Sequence, residues 1–424
     1  MNQPLSRYVD YMYSYPHKTA YRPFSAPVSL LPYLEQLEGR KASLYFHIPF
    51  CSHKCGYCNL FSLQTNRTEY ITTYLDALHR QAQQLSPLTA GLTFDSFAIG
   101  GGTPLLLTVP QLEQLMATAA LFGVHPSHAF TSVETSPEYA DRSRLNVLKQ
   151  AGVARVSIGI QSFQDEELKA IKRRPRQNTI YQALEGIRQM DFPYFNIDLI
   201  YGIKGQTVES FLYSLEEALR FQPNELFIYP LYVRQGTGIT EREPDDVCFR
   251  MYRAACELLQ AKGFLQTSMR RFIHHLSTDA EVSCGDEVML SCGSGGRSYL
   301  GDLHYATRYT VCQQCIAREI DEYMATTDFT VARNGFILSA KEQQQRFIIK
   351  NLMYYMGIDK AEYTRRFGEP LDRTPLFREL AEQHWIEETS DRIRLTSEGL
   401  GYSDYIGQLF ITPEIRQLME TYSY

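Results

Sequence analysis

The chain has 424 residues, enough for one large domain and one or two smaller ones. Its 42 basic and 48 acidic residues give a net charge of −6, which argues against a dedicated nucleic-acid-binding protein. No apolar run approaches the roughly 18 residues of a membrane span, and the first residues lack the charged-then-apolar pattern of a signal peptide. Nine cysteines without disulfide-like spacing favour a reducing compartment, so we expect a cytoplasmic protein without a membrane span.

Residues 1–40 are rich in tyrosine, and Pro16, Pro23, Pro27 and Pro32 would interrupt any long helix. We therefore expect an irregular Tyr/Pro-rich N-terminal arm. Such an arm either packs on the surface of the main domain or covers a planar or aromatic substrate.

From residue 43 onward, short apolar runs alternate with amphipathic helical patterns, which predicts successive strand–helix units. Six units in series indicate parallel strands with right-handed crossovers. Six are too few for a closed eight-unit barrel, so the natural geometry over residues 41–235 is an open, partial (β/α)6 barrel. The strands are predicted at residues 43–48, 94–99, 129–134, 155–160, 194–200 and 225–229.

Three cysteines, Cys51, Cys55 and Cys58, follow the first predicted strand with the spacing C-x3-C-x2-C. Such soft thiolates select iron–sulfur clusters, zinc or copper(I). A structural zinc site or an ordinary electron-transfer cluster uses four protein ligands. Three cysteines therefore indicate a cluster with one iron open to another ligand. A group of free thiols or a weak zinc site is the alternative.

Glycine and polar residues fall at the ends of the next predicted strands. The carboxyl ends of parallel strands meet at one face of a barrel, so these residues predict one shared site. The second strand is followed by Gly-Gly-Gly-Thr-Pro, and the third, fourth and fifth strands end near polar side chains. The residues concerned are Gly101, Gly102, Thr103, Glu134, Gln161 and Asp198.

The cysteine spacing after a strand resembles the radical S-adenosylmethionine (SAM) superfamily. The phrase Tyr-x-His-Ile-Pro-Phe-Cys at residues 45–51 is similar to the HemN-like branch, typified by oxygen-independent coproporphyrinogen III oxidase. The similarity covers roughly residues 41–410, with further matching segments at 100–104, 132–137, 156–163 and 196–202. It implies a TIM-like partial barrel in which the three cysteines hold a [4Fe–4S] cluster and SAM binds the fourth iron.

The same resemblance implies roles for single residues. The turn of Gly101, Gly102 and Thr103 would bind the methionyl amino group of SAM. The carboxylate, ribose and sulfonium region of SAM would contact Glu134, Gln161, Arg173 and Asp198. Arginine forks onto carboxylates, and acidic groups accept hydroxyl or ammonium protons. The alternatives are buried polar residues that close the barrel and, for Arg173, a solvated basic loop.

Tyr45 resembles a family position near both SAM and substrate, and it is the predicted catalytic residue. A buried strand tyrosine is the alternative. The glycine-rich segment 293–298 occupies the place of a family segment beside the adenosine and substrate. Arg297 departs from the family pattern there, which points to an acidic substrate.

The rest of the chain is predicted to form two further units. Residues 236–330 would extend the barrel and contain the glycine-rich segment. Residues 331–424 would form a winged-helix-like α+β domain similar to the HemN C-terminal domain, with a helix at 340–355 and a two-stranded wing at 385–396. Because this domain is not strongly basic, we expect a structural or substrate-covering role instead of DNA binding.

The chain departs from both well-known subgroups, which indicates a divergent member. The oxidases carry a further cysteine two residues after the third one, in a C-x-C pattern, whereas Asn59 and Leu60 follow Cys58 here. Residues 274–276 do not match the His-Asn-x-x-Tyr-Trp stretch of the haem chaperones.

An auxiliary metal site is a further hypothesis, with buried free cysteines as its alternative. It would involve Cys284, Cys292, Cys312 and Cys315.

The expected activity is reductive cleavage of SAM to a 5′-deoxyadenosyl radical that acts on a small conjugated or tetrapyrrole-like substrate. Hydrogen abstraction, oxidative decarboxylation and methyl transfer all fit. The expected cofactors are one [4Fe–4S] cluster and one or two SAM molecules, with an external electron donor of the flavodoxin or ferredoxin type. The alternatives are a haem-binding chaperone of the HemW type and RNA modification, and the acidic charge argues against the latter.

Overall fold

The structure is a computed structural model that describes residues 6–9, 12, 14–125, 128–174, 177–274, 288–371 and 375–423. Its strands are β1 (Arg22–Ser29), β2 (Lys41–Ile48), β3 (Phe50–Cys51), β4 (Leu63–Gln64), β5 (Thr93–Gly101), β6 (Phe130–Thr135), β7 (Arg155–Gln161), β8 (Tyr194–Tyr201), β9 (Glu225–Pro230), β10 (Leu265–Gln266), β11 (Arg271–Ile273), β12 (Val288–Cys292), β13 (Arg297–Leu300), β14 (Leu303–Ala306), β15 (Val331–Ile337), β16 (Ile358–Asp359), β17 (Ile386–Glu388) and β18 (Arg392–Leu395).

The α-helices connect these strands or follow them. They are α1 (Leu31–Glu35), α2 (Thr68–Leu85), α3 (Val109–Ala120), α4 (Arg142–Gln150), α5 (Asp165–Ala170), α6 (Gln177–Met190), α7 (Val208–Leu219), α8 (Asp245–Ala261), α9 (Gln313–Ala325), α10 (Ala340–Leu352), α11 (Lys360–Phe367), α12 (Pro375–Glu382), α13 (Ser397–Gly401), α14 (Ser403–Leu409) and α15 (Pro413–Glu420). None of the described helices has the length and apolar character to cross a bilayer.

Six parallel strands form the middle of the main sheet. They lie side by side in chain order as β2, β5, β6, β7, β8 and β9. Their bounds agree within two residues with the six strands predicted from the sequence, so that prediction is confirmed. Among the described residues, β9 pairs with β8 and β11 and does not close the sheet onto β2. The α/β class and the open, partial barrel are therefore as expected.

Side chains alternate between an apolar and a polar face of these strands. In β2, Leu44, Phe46 and Ile48 are buried in the hydrophobic core. The residues between them lie on the opposite face, where the hydroxyl groups of Ser43 and Ser96 are 2.6 Å apart. Because successive strand residues point to opposite faces, the core packs on one side and polar groups gather on the other. The polar face is available for a site.

The sheet continues beyond both ends of the predicted barrel. On one side β12 is parallel to β2, and β13, β14, β15 and β1 follow in antiparallel order. On the other side β11 and β10 follow β9. The apolar run at 287–291 becomes β12, although residue 287 lies outside the described residues. Its place as a seventh parallel strand was not predicted.

The irregular backbone expected over residues 1–40 is wrong for residues 22–29 and 31–35. Residues Arg22–Ser29 form β1, and Leu31–Glu35 form α1. The two prolines of β1 are tolerated because, among the strands that the structure describes, β1 is at the edge of the sheet and pairs only with β15. An edge strand has one side without ladder hydrogen bonds, and its register also shifts between Pro23 and Val28.

The C-terminal part contains a second hydrophobic core, which includes Trp385, Ile393 and Leu395. Strands β16, β18 and β17 form a small antiparallel sheet, and β17 and β18 are the predicted wing. The winged-helix-like α+β expectation agrees with this arrangement, although α10 ends at Leu352 instead of residue 355. The domain boundaries at residues 40, 235 and 330 stay predictions.

Candidate functional site

The cysteine loop (residues 49–64) follows β2 and carries Cys51, Cys55 and Cys58 as partly buried free thiols. Its short strands β3 and β4 pair in parallel, and the Cys58 N–H donates to the Cys55 carbonyl over 3.2 Å. Within the described part of the chain, no three His, Cys, Asp or Glu residues are grouped around a single metal ion. A cubane differs from that case, since each of its cysteines binds a different iron.

The environment of the sulfur atoms fits a cluster. The Thr103 hydroxyl donates to Cys51 Sγ over 3.6 Å, and Arg173 Nη1 donates to Cys55 Sγ over 3.3 Å. Burial, and then the neighbouring Cys58, raises the pKa of Cys51 to about 12, and burial also raises the pKa of Cys58. A bound metal replaces the thiol proton, so three thiols in one loop with nearby hydrogen-bond donors suit a [4Fe–4S] cluster.

The glycine turn after β5 lies directly against the cysteine loop. The Gly102 N–H donates to the Ile48 carbonyl and the Thr103 N–H to the Phe50 carbonyl, each over 2.8 Å. Gly101 has φ +112°, and a Cβ atom there would lie 2.8 Å from the His47 ring. A Cβ atom on Gly102 would lie 2.4 Å from the Phe50 carbonyl oxygen. Only glycine permits this close approach of two backbone segments.

Two carboxyl groups, Glu134 and Asp198, share the polar face near the ends of β6 and β8. The Gly101 N–H donates to Glu134, and Asn196 donates to Asp198 over 2.8 Å. Glu134 is solvent-accessible but closely surrounded by protein, and this desolvation, followed by repulsion from Asp198, raises its pKa to about 7. Desolvation raises the pKa of Asp198 to about 6. Two carboxyl groups so close together suit a cationic ligand.

Gln161 and Arg173 meet at the end of β7. Arg173 donates to the Gly159 carbonyl, and a Cβ atom on Gly159 would lie 2.6 Å from Gln161 Nε2. Gln161 has φ +76°, an uncommon value for a residue other than glycine. Because Arg173 also contacts Cys55, it connects the end of β7 with the cysteine loop.

Tyr45 points to the same face as the carboxyl groups. A Cβ atom on Gly100 would lie 3.0 Å from the Tyr45 hydroxyl and 2.9 Å from Glu134 Oε2, so both side chains approach this glycine. The Tyr45 hydroxyl is also 3.1 Å from His47 Nδ1. The structure thus brings every predicted site residue to the same end of the parallel strands. Their contacts with a cofactor stay predictions.

The sequence reasoning missed His47 as a member of this site. Its Nε2 is 2.9 Å from the Phe61 carbonyl, and burial lowers its pKa to about 4, so the ring is neutral. A Cβ atom on Gly295 would lie 2.7 Å from His47 Nε2, which places the glycine-rich segment against this histidine. His47 stands two positions after Tyr45, so strand alternation alone could have identified it.

Basic side chains lie where the N-terminal residues meet the glycine-rich segment. Arg297 Nη1 donates to Ser14 Oγ over 2.6 Å, and Lys18 Nζ lies 3.6 Å from the centre of the Tyr309 ring. Burial lowers the pKa of His17, and Lys18, Arg297 and Arg234 lower it further. Lys18 and Arg297 also lower the pKa of His47. The polar face is therefore bordered by positive charge.

The cysteines predicted as ligands of an auxiliary metal lie in different parts of the fold. Cys292 is buried at the end of β12, Cys312 and Cys315 stand at the start of α9, and Cys284 lies outside the described residues. No group of three metal-binding side chains that includes them exists in the described ranges. The structure therefore gives the auxiliary site no support.

Residues 45–218 match the family model described as the radical SAM superfamily. The chain therefore contains a radical SAM domain, which implies a [4Fe–4S] cluster and SAM. The cysteine loop, the glycine turn and the carboxyl groups all fall within the matched residues.

Among its relatives are proteins of two names. The chain is 28% identical over 391 residues to heme chaperone HemW of Bacillus subtilis (strain 168), covering 87% of this chain and 100% of the relative. It is 26% identical to oxygen-independent coproporphyrinogen III oxidase of Escherichia coli (strain K12), covering 85% and 83%. The solved structure of E. coli HemN covers 94% of this chain with a TM-score of 0.82 at 23% identity, which shows the shared fold. The chain thus resembles both groups of relatives, as the sequence motifs predicted, and has the fold of E. coli HemN.

Proposed function

We propose that this protein is a radical SAM enzyme that acts on an anionic, conjugated small molecule of the tetrapyrrole type. One observation carries the proposal: the thiol, glycine and carboxyl groups are joined by direct contacts at one end of the sheet. Thr103 contacts Cys51, Arg173 contacts Cys55, and the Gly101 N–H binds Glu134. When bound, the cluster of such a site supplies one electron to SAM, which yields methionine and a 5′-deoxyadenosyl radical.

The chain's own residues would bind and orient SAM beside the three cysteines. The partly buried glycine turn suits the methionyl amino group, and Arg173 suits its carboxylate. Glu134 and Asp198 suit the ribose hydroxyls and the positive sulfonium, since their mutual repulsion falls when a cation binds between them. Gln161 would hold the nucleoside from the end of β7. Tyr45, close to Glu134, would border the reacting carbon.

The positive border of the polar face supports an anionic substrate. Arg297 and Lys18 lie near His17 and His47, and their positive charges help to lower the pKa values of both rings. Coproporphyrinogen III and heme, which occur in the names of the relatives, are tetrapyrroles. We propose a substrate of that class with its acidic groups directed to Arg297.

For the reaction class, we favour methyl transfer with a second SAM over oxidative decarboxylation. The reason is that Asn59 and Leu60 follow Cys58, so the additional cysteine of the oxidases is absent. An external flavodoxin- or ferredoxin-type donor would deliver the electron. The cytoplasm is the proposed compartment, because the three site thiols need reducing conditions to stay free for a cluster.

A heme chaperone is the second candidate function. It is favoured by the relative from B. subtilis, whose full length aligns with this chain. In that case the same site would regulate heme binding or release, without turnover of a substrate.

The deciding experiment is anaerobic reconstitution with reductant, SAM and candidate tetrapyrroles, followed by mass spectrometry of nucleosides and products. Methyl transfer predicts S-adenosylhomocysteine together with a methylated product. Formation of 5′-deoxyadenosine alone, in step with substrate loss, would support hydrogen abstraction or decarboxylation instead. Tight heme binding without either nucleoside would support the chaperone.

The substrate class is tested with Arg297→Gln, and Arg333→Gln serves as its control because Arg333 is exposed on β15. Loss of one charge-assisted contact should raise KM for an anionic substrate by about tenfold. Equal KM values for the two variants would reject Arg297 as a substrate-binding residue.

A further inference from the structure

Cys312 and Cys315 form a C-x-x-C pair at the start of α9, a helix of 13 residues. Cys312 is the N-cap residue and is exposed, whereas Cys315 lies in the first turn and is partly buried. Both are free thiols. Residues three apart in a first helical turn are within the Cα separation of about 4.4–6.8 Å that a disulfide spans. An exposed first thiol with a partly buried second one is the arrangement of a dithiol that reacts with an external disulfide.

The segment leading into α9 is bound to the cysteine loop. Four hydrogen bonds join residues 309–313 to residues 54–64. They are Lys54 Nζ to the Val311 carbonyl (3.0 Å), the Tyr309 hydroxyl to the Asn59 carbonyl (2.8 Å), Gln313 Nε2 to the Ser62 carbonyl (2.9 Å) and the Gln64 N–H to Gln313 Oε1 (2.8 Å). A change in the backbone conformation at Cys312 would therefore be transmitted through these hydrogen bonds to the loop that carries the three site cysteines.

The surroundings of Cys312 also favour its reactive form. The Cys315 backbone N–H and thiol donate to Cys312, and the Lys54 ammonium lies close by, which together lower the pKa of Cys312. Thiolates at helix N-termini and beside lysine are the usual nucleophiles of disulfide exchange. Lys54 also interacts with Cys51 and Cys58, so one cation lies between the two groups of thiols.

We propose that Cys312 and Cys315 are a redox-active dithiol whose oxidation state acts on the cysteine loop. The Cys312 thiolate attacks one sulfur of an external disulfide and releases one thiol, forming a mixed disulfide. The Cys315 thiolate then attacks Cys312 Sγ and releases the second thiol. The dithiol is oxidised to an intramolecular disulfide, and the external disulfide is reduced to two thiols.

The exchange stands on the C-x-x-C geometry and the surroundings of Cys312, whereas its effect on the cluster rests on the proposed function. Closing the disulfide would redirect the Cys312 side chain at the N-cap of α9, next to the contacts from Tyr309 and Gln313. We therefore expect weaker SAM binding in the oxidised protein.

The first measurement is anaerobic equilibration of the reconstituted protein with glutathione buffers of increasing disulfide content, followed by alkylation and peptide mass spectrometry. Alkylation of Cys312 should fall about tenfold across the series, with the linked Cys312–Cys315 peptide appearing in step. Cys315→Ser should yield only the mixed disulfide at Cys312. Cys256→Ser, at a partly buried cysteine of α8, should behave as wild type.

The second measurement is SAM affinity and the electron paramagnetic resonance signal of the reduced cluster in the two redox forms. Oxidation should weaken SAM binding by about threefold or more in wild type and leave Cys312→Ser unchanged. Persistence of both alkylated thiols at all buffer ratios, or tight zinc or iron at this pair that is lost in Cys312→Ser, would overturn the dithiol. A linked peptide with no change in SAM affinity would overturn its action on the loop. If only the proposed function is wrong, the protein will hold no cluster, but the linked Cys312–Cys315 peptide will still form. This result differs from both of the outcomes above.

Discussion

The carboxyl pair predicts that SAM binding strengthens as the pH rises from 6 to 8. The pKa of Glu134 is raised to about 7 and that of Asp198 to about 6, so both groups lose protons within this range. SAM is positively charged at its sulfonium and should bind the doubly ionised pair. Three other charged groups act on the pair. Arg155 lowers both pKa values, Arg173 lowers that of Asp198, and Glu225 raises that of Asp198.

The size of the effect follows from the fraction of protein with both groups ionised. At pH 6 about one tenth of Glu134 and about half of Asp198 are ionised, whereas at pH 8 nearly all of both are. Since apparent affinity scales with the binding-competent fraction, the Kd for SAM should fall about 20-fold between pH 6 and pH 8.

The matched variant is Glu134→Gln, which keeps an acceptor for the Gly101 N–H but does not titrate. With Asp198 alone titrating, the change in Kd over the same range should shrink to about twofold. The assay is anaerobic equilibrium dialysis of the reconstituted protein with labelled SAM. Equal pH dependence in wild type and Glu134→Gln would refute the reasoning, because the titrating group would then lie elsewhere, for example on the amino group of SAM.

Two further predictions concern stability. Gly101→Ala should lower the free energy of unfolding by about 2–4 kcal/mol and weaken SAM binding, because its Cβ would lie 2.8 Å from His47 at a positive φ. Gly123→Ala, with φ +70° and no atom within 4 Å of its Cβ, should cost only about 1 kcal/mol; equal losses in chemical denaturation would contradict the close contact at Gly101. Asp404→Asn should cost about 3–5 kcal/mol, since it leaves the buried Arg270, now 2.6 Å from Asp404, without its counter-charge. A loss below about 1 kcal/mol in urea unfolding would contradict this estimate.

Much of the fold was predictable because local patterns determine it. A buried strand such as β2 alternates apolar and polar residues, and its helix α2 has a regular apolar face, so each unit can be read within a short window. The placement of β12 beside β2 depends on residues more than two hundred positions apart, which no short window contains. Strand β1 was missed because its prolines argue against a strand unless its edge position is known.

The candidate site was predictable for a related reason. Parallel strands bring their carboxyl ends together, so residues such as Glu134 and Asp198 could be grouped once the strands were placed. The sequence does not give contacts between loops. The approach of Gly101 and Gly295 to His47, and the hydrogen bonds between residues 309–313 and the cysteine loop, depend on tertiary packing.

The most direct test of the proposed function is the iron and sulfide content of anaerobically reconstituted protein, with Mössbauer spectra recorded with and without SAM. Wild type should hold about four irons and four sulfides per chain, and one iron should change its spectrum when SAM is added. Replacing Cys51, Cys55 and Cys58 together by alanine should abolish both signals while the protein stays folded, and Cys312→Ser with Cys315→Ser should retain them. Full iron and sulfide content in the triple alanine variant would contradict the assignment of these cysteines as the cluster ligands.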